Sequence, residues 1–321
     1  MLEPSIGSPL LWFGFTALIV ALLVLDLAVF HRTPHAVRSW EALGWTVFWI
    51  ALAMVFNVGV YVWFGKTHAL EFLTGYLIEK ALSVDNLFVF MVIFAYFSVP
   101  AATQHRLLFW GILGALIMRA LFIFAGAALL HHFHWVIFVF GGFLVFTGVK
   151  IAFQSESEVH PERNPVIRVF QRLVPMTTEY HGAAFTVVRQ GRRLATPLLL
   201  VLLVVETTDV VFAVDSIPAI FAVTRDPFIV YTSNIFAILG LRALYFFLSG
   251  ALGHFHYLKY GLGLVLVFVG IKMLISEHYK IPIGVSLGVI ALLLGGAVLA
   301  SCLHKPTTPP LPTPSPKPHQ G

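Results

Sequence analysis

The amino-acid sequence predicts an all-α polytopic membrane protein. Of its 321 residues, 59% are hydrophobic and only 11% are charged, and the mean hydropathy is +0.89. An ordinary soluble domain carries about 25% charged residues, so this chain has too little polar surface to cover a water-soluble globule. Long apolar runs and an internal repeat point the same way. The composition therefore excludes a soluble enzyme and a disordered protein.

Nine apolar stretches are long enough to cross a bilayer, which takes about 20 residues in a helix. The predicted spans lie at 8–30, 41–64, 70–97, 105–130, 134–153, 196–223, 228–250, 256–275 and 282–303. An odd number of spans places the two termini on opposite sides of the membrane.

The distribution of Lys and Arg predicts the orientation. Segments that follow odd-numbered spans hold thirteen of these residues, and segments that follow even-numbered spans hold four. By the positive-inside rule, the N-terminus is outside and the C-terminus is cytoplasmic. The net charge of +5 thus reflects membrane orientation, and we expect the lipid bilayer rather than nucleic acid as a partner.

The predicted organisation has six parts. They are 1–69 with spans one and two, 70–153 as a first three-helix repeat, 154–195 as a cytoplasmic connecting segment, 196–275 as a second, inverted repeat, 276–304 with the last span, and 305–321 as a disordered cytoplasmic tail. The tail contains seven prolines, a composition typical of a flexible polyproline-like segment.

Spans three to five recur as spans six to eight. The matches, in the same order in both copies, are Glu79-Lys-Ala-Leu-Ser-Val-Asp85-Asn86 with Asp209-Val-Val-Phe-Ala-Val-Asp215-Ser216, Arg119 with Arg242, His132-Phe-His134 with His254-Phe-His256, and Gly148-Val-Lys150 with Gly270-Ile-Lys272. Because the unit has three spans, the second copy enters the membrane from the opposite side. Inverted repeats are common in transporters, with the site near the midplane, although a static scaffold could also arise by duplication.

Charged residues occur inside the predicted spans, where each costs roughly 2.5–3.5 kcal/mol. The acids are Asp26, Glu79, Asp85, Glu206, Asp209 and Asp215, and the bases are Lys80, Arg119 and Arg242. Pairing with arginine neutralises some of the acids. The remaining negative charge requires protons or a bound cation, so the sequence predicts positive charge inside the membrane.

The candidate ligands of that cation are oxygen donors. The residues predicted to bind metal are Glu79, Asp85, Asn86, Glu206, Asp209 and Asp215, with Asn234, Ser83, Thr207 and Ser216 as further oxygen donors. Oxygen sites suit Mg²⁺, Ca²⁺ and Mn²⁺, whereas soft metals prefer sulfur ligands. The one cysteine, Cys302, lies at the far end of the last span, which disfavours copper(I). This chemistry leaves Mn²⁺, Ca²⁺ and Mg²⁺ open.

Helix geometry does not place all these acids on one face. Asp215 lies about 120° around an ideal helix from Asp209. Pro218 removes the backbone donor that would bond the carbonyl of Val214, so we expect a break in the helix beside Asp215. Alternatively, some carboxylates pair with the intramembrane arginines or relay protons.

Four sequence strings resemble the TerC family of bacterial membrane proteins. They are Glu79-Lys-Ala-Leu-Ser-Val-Asp85-Asn86, Glu206-Thr-Thr-Asp209-Val-Val-Phe-Ala-Val-Asp215-Ser-Ile-Pro218-Ala-Ile, Thr232-Ser-Asn234-Ile-Phe-Ala-Ile-Leu-Gly-Leu-Arg242-Ala and Leu258-Lys-Tyr-Gly. The resemblance runs from span one to span nine and is nearest to the nine-span, manganese-associated branch.

The resemblance implies a bacterial inner-membrane protein that exports Mn²⁺ through the acidic motif residues of both repeats. No P-loop ATPase motif is present, so we expect secondary or channel-like transport, with no enzymatic activity and no cofactor. Uncompensated acids would couple export to proton antiport, whereas full neutralisation by arginine would give a uniport. Two alternatives stay open: a non-transporting scaffold, and a redox or tellurium-resistance protein, although the chain has no cysteine couple, flavin motif or haem pair.

Overall fold

A computed structural model describes residues 5–30, 39–133, 135–153, 169–170, 172–189, 191–249, 257–276 and 278–303. The side chains at 26–30, 39, 85, 88, 153, 215, 258 and 302 lie outside this description. So do the predicted tail at 305–321, the first part of the connecting segment at 154–168, and the histidine motif of the second repeat.

Ten helices and one two-stranded sheet make up the described chain. They are α1 (Pro9–Phe30), α2 (Ser39–Phe64), α3 (Lys66–Tyr96), α4 (Ala101–His132), α5 (Val136–Phe153), β1 (Thr186–Arg189), β2 (Arg192–Ala195), α6 (Pro197–Phe221), α7 (Pro227–Ile238), α8 (Leu241–Ser249), α9 (Leu258–Leu274) and α10 (Ile283–Leu303). Each predicted apolar stretch holds one helix, except the seventh, which holds α7 and α8.

Several helices are long and apolar enough to cross a membrane. In the described ranges, five stretches meet both requirements: Trp40–Phe64, Ala101–His132, Pro197–Phe221, Pro227–Ser249 and Ile283–Ser301. Pro9–Leu25 and Val136–Ala152 are shorter apolar helices. A mostly helical, multi-pass membrane protein is therefore confirmed.

The seventh stretch is broken in its middle. Between α7 and α8, Gly240 has a φ of +82°, a conformation that favours glycine. A Cβ at Gly240 would also lie 2.7 Å from the Cβ of Trp49 on α2. The backbone therefore leaves the helix where it passes the indole ring.

The predicted break beside Asp215 is wrong. Helix α6 continues through Pro218 and ends three residues later at Phe221. Pro218 removes the hydrogen bond to the carbonyl of Val214, but the residues on both sides of it keep the helical conformation.

The helices surround a core in which α3 and α6 contact each other. Helix α3 packs against α7, and α4 packs against α6, while α2 and α10 cover other sides of α3. Apolar side chains such as Phe72, Leu87, Leu198 and Phe236 fill this core. Glu79 of α3 and Asp209 of α6 are consequently enclosed by protein.

Helices α5 and α9 form the most extensive helix pair, and glycines lie at their contact. A Cβ on Gly148 would lie 2.6 Å from the carbonyl oxygen of Gly263, and one on Gly263 would lie 2.7 Å from that of Gly148. Gly141 and Gly270 approach each other in the same reciprocal way. Because 141 meets 270 while 148 meets 263, the two helices run antiparallel.

The connecting segment contains a β-hairpin that the all-α prediction missed. Strands β1 and β2 are antiparallel, with Thr186 opposite Ala195 and Arg189 opposite Arg192. Gly191, at φ +75°, occupies the tight turn. The β-branched run Thr-Val-Val at 186–188 favours a strand. The run is too short to be distinguished from a loop by sequence alone.

Candidate cation site

The predicted site residue Glu79 lies at the junction of α3, α4, α6 and α7, and its side chain has no exposed surface. Arg119 of α4 forms a buried salt bridge with it, donating from Nη1 to Oε1. The same Nη1 donates to Oγ of Ser216 on α6 at 2.9 Å. One guanidinium nitrogen therefore joins three helices.

A second set of donors reaches Glu79 from its other side. Nδ2 of Asn234, on α7, donates to Oε2 at 3.1 Å. Oγ of Ser83, one turn along α3, lies 3.5 Å from Oε1. The charge of Glu79 is thus compensated by Arg119 and by neutral donors, among them Asn234 and Ser83, all buried.

Two buried polar atoms of this network lack a hydrogen-bond partner among the described residues. They are Oδ1 of Asn234 and Nε of Arg119. Most buried polar atoms have hydrogen-bond partners. These two atoms therefore leave unused hydrogen-bonding capacity beside Glu79.

The acids of α6 are in a different environment. Asp209 is only 7% exposed, and Arg119, Glu206 and Glu79 all act on it electrostatically. The carboxylate of Glu206, one turn earlier, lies directly against Gly114 of α4. Within the part of the chain that the structure describes, no hydrogen-bond donor reaches either carboxylate. Their oxygens are therefore available to accept a cation.

The remaining predicted ligands are placed less completely. Asn86 is buried two turns along α3 from Glu79, whereas the side chains of Asp85 and Asp215 lie outside the described residues. The described side chains contain no group of three or more His, Cys, Asp or Glu that could hold a metal ion. The full six-residue metal site stays a prediction.

One polar contact at the helix break was missed by sequence reasoning. Nζ of Lys80 donates to the carbonyl of Ala237 at 3.2 Å. Ala237 lies in the last turn of α7, where the helix dipole and free carbonyls favour a cation. Because the break at Gly240 was not predicted, this partner of Lys80 could not be predicted either.

A polar cluster lies away from Glu79, at the start of α3 and the turn after α6. Oε2 of Glu71 is 3.1 Å from Nδ1 of His68 and accepts a hydrogen bond from Thr224 at 3.0 Å. Asp226 caps α7 by accepting from the backbone of Phe228 at 2.8 Å. It also accepts from the backbone of Ile6 at 2.7 Å. These contacts anchor the N-terminal segment.

Comparison with known proteins agrees with the resemblance seen in the sequence. Residues 64–308 match the model of the Integral membrane protein TerC family. The Uncharacterized membrane protein STKORF319 of Myxococcus xanthus is 58% identical over 308 residues, which cover 95% of this chain and 97% of that relative.

A relative from Escherichia coli (strain K12), named "Putative membrane-bound redox modulator Alx", is 50% identical over 295 residues, which cover 89% of this chain and 92% of that protein. No solved structure matches the chain. The chain therefore belongs to the TerC family of integral membrane proteins.

Proposed function

We propose that the protein exports a hard divalent cation, Mn²⁺ foremost, from the bacterial cytoplasm through an acidic site inside the inner membrane. The observation that carries this proposal is the pair of donor-free carboxylates, Glu206 and Asp209, beside the enclosed Glu79–Arg119 pair. Charge inside a membrane is costly and marks ion pathways by default. A cation would neutralise the acids that Arg119 does not.

The donor set favours a hard metal ion. Carboxylate oxygens of Glu206 and Asp209 would bind the incoming ion, and oxygens of Asn86, Asp85 and Asp215 would complete its coordination. Oxygen ligands suit Mn²⁺, Mg²⁺ and Ca²⁺ rather than copper(I). The choice of Mn²⁺ among these rests on the family resemblance.

A nine-span protein with an inverted three-plus-three core is part of the proposal, with the N-terminus outside and the C-terminus in the cytoplasm. Packing supports it: α3 on α7 and α4 on α6 are equivalent contacts if the second copy is α6 to α9. The glycine contacts of α5 and α9 support it too. The repeat aligns Gly148 with Gly270, and so Gly141 with Gly263, which makes the two reciprocal contacts equivalent.

The helix break between α7 and α8 also favours transport. Discontinuous helices line the substrate sites of many secondary transporters. Here Asn234, on the last full turns of α7, bonds Glu79, and Lys80 bonds the end of the same helix. The break and the candidate site therefore share one location.

The coupling mechanism follows from the number of acids. Carboxylates that hold protons in the empty protein release them when a metal ion binds. If the protons leave on the cytoplasmic side and the metal leaves on the other, export is cation/proton antiport. Full pairing with Arg119 and Arg242 would instead give a uniport.

A redox function is a second candidate, because several relatives carry the name of a redox modulator. The chain contains one cysteine, Cys302, so it cannot form an internal dithiol couple. A redox role would need a partner or cofactor that supplies the electrons.

Binding of Mn²⁺ to the purified protein in detergent tests the proposal. Free aqueous Mn²⁺ gives a six-line electron paramagnetic resonance signal, which we expect to decrease as protein is added. Excess Ca²⁺ should restore the signal in part, and copper(I) should not. A signal that protein leaves unchanged from about pH 6 to 8.5 would overturn the proposed function and favour the second candidate.

A further inference from the structure

The charged end of Arg119 occupies the place beside Glu79 that a cation would take. We propose that Arg119 is a built-in counter-cation: the transported ion displaces it from Glu79, and its return expels the ion. The inference rests on the proposed function and adds to it a residue that controls affinity and release.

The contacts of Arg119 are those of a bound cation. Its Nη1 touches a carboxylate oxygen of Glu79 on α3 and the hydroxyl oxygen of Ser216 on α6. Carboxylate and hydroxyl oxygens brought together from two helices are ligands of hard metal ions. The guanidinium is 3% exposed, so its positive charge is delivered inside the protein.

A metal ion and the guanidinium compete for Glu79. Two positive charges on one carboxylate would lie a few ångströms apart, and at that distance in a poorly polarisable interior their repulsion is strong. Binding of a divalent cation at Glu79 is therefore strongest when Arg119 withdraws.

The structure offers Arg119 another acidic partner. Asp209 is buried within electrostatic reach of the guanidinium, and no donor reaches its carboxylate in the described part of the chain. Once the ion has passed from Asp209 to Glu79, an arginine that exchanged Glu79 for Asp209 would stay paired. This avoids the cost of an isolated buried charge.

Among the described residues, Arg119 uses only part of its hydrogen-bonding capacity. A guanidinium carries five N–H donors, yet its assigned side-chain hydrogen bonds all come from Nη1, and Nε has no partner among the described residues. Within the described part of the chain, the two hydrogen bonds from Nη1 are those that must break for it to move.

Asn234 completes the exchange. It stays attached to Glu79 through Nδ2, while its Oδ1 is fully buried and has no described hydrogen-bond partner. An ion that replaced the guanidinium would find this amide oxygen beside the carboxylate. We therefore assign Asn234 as a ligand of the displaced state.

Mn²⁺ affinity of an Arg119→Gln variant at about pH 8 tests the inference, since removal of the competing cation should strengthen binding. We expect the Kd for Mn²⁺ to fall at least about tenfold, with slower release. Arg119→Lys keeps the positive charge, so its Kd for Mn²⁺ should stay close to that of the wild type. Arg189→Gln, which removes an exposed arginine of the hairpin, should bind as the wild type does.

The outcomes separate the two proposals. Unchanged or weaker Mn²⁺ binding by a folded Arg119→Gln protein, beside a wild type that binds, would overturn the counter-cation role alone. A wild type that does not bind Mn²⁺ would instead overturn the proposed function.

A measurement on the wild type covers the case in which Arg119→Gln does not fold. Infrared difference spectra of protein labelled with ¹³C-arginine should show a guanidinium band that shifts when Mn²⁺ binds, and Arg119→Lys should lack that shift. Saturation with Mn²⁺ without any change in the arginine bands would refute displacement.

Discussion

At the scale of single residues, the two acids that the predicted repeat aligns have unequal surroundings. Glu79 is surrounded by donors, including Arg119, whereas Asp209 receives none from the described residues. The sequence predicted both acids, because charges stand out in apolar spans. It could not predict which acid pairs with Arg119. That choice depends on the rotational orientation in which α3 and α4 pack, and Glu79 and Arg119 are forty residues apart in sequence.

Asp209→Asn should abolish Mn²⁺ export while the protein still inserts into the membrane. The amide keeps the size of the side chain but removes its charge, so packing survives and the attraction for a cation does not. Efflux from cells loaded with Mn²⁺ measures the effect. Glu179→Gln, an exposed acid near the hairpin, is the matched control. Export by Asp209→Asn at the wild-type rate would refute the role of Asp209.

Gly114→Ala should weaken Mn²⁺ binding about tenfold, equivalent to ~1.4 kcal/mol. The new Cβ would collide with the carboxylate of Glu206, which is flexible and would move away. Alanine is about 1 kcal/mol more favourable than glycine in a helix, so loss of helix stability cannot explain weaker binding.

Gly142→Ala is the control for Gly114→Ala, because a Cβ there meets no atom within 4 Å. Titration of both variants with Mn²⁺ should separate them. Equal affinity in the two proteins would show that the position of Glu206 against Gly114 does not matter for binding.

At the scale of helices and strands, most boundaries could be predicted and the irregularities could not. Apolar runs set the ends of the helices to within a few residues. Pro218 suggested a break, yet α6 loses a single hydrogen bond there and continues to Phe221. Gly240 did not suggest a break in the sequence. The reason for the break is its close contact with Trp49, which only the structure shows.

Gly148→Val should destabilise the α5–α9 contact by roughly 1–3 kcal/mol, the usual cost of overpacking. Its side chain would meet the backbone of Gly263 at 2.6 Å, and backbone cannot yield as a side chain can. Thermal unfolding midpoints in detergent measure the loss. Gly142→Val, on the same helix but facing open space, shares the helix propensity and should lose much less. Equal midpoints would mean that the two helices do not need their close approach.

At the scale of the whole molecule, composition alone predicted the class of protein and the comparisons established the family. The membrane class follows because a chain with 11% charged residues cannot cover itself in water. The hairpin escaped prediction because a four-residue strand leaves little signal. The sequence predicted which residues form the candidate metal site. It did not predict the geometry of the site, because that geometry depends on how four helices pack.

The most direct test of the central claim is Mn²⁺ flux in liposomes that contain the purified protein. Uptake can be followed by an entrapped Mn²⁺-sensitive dye, with empty liposomes and Asp209→Asn protein as controls. We predict uptake by the wild type that both controls lack, and acceleration by an outward proton gradient if export is antiport. Wild-type liposomes that take up no more Mn²⁺ than empty ones, under any pH gradient or voltage, would contradict the account.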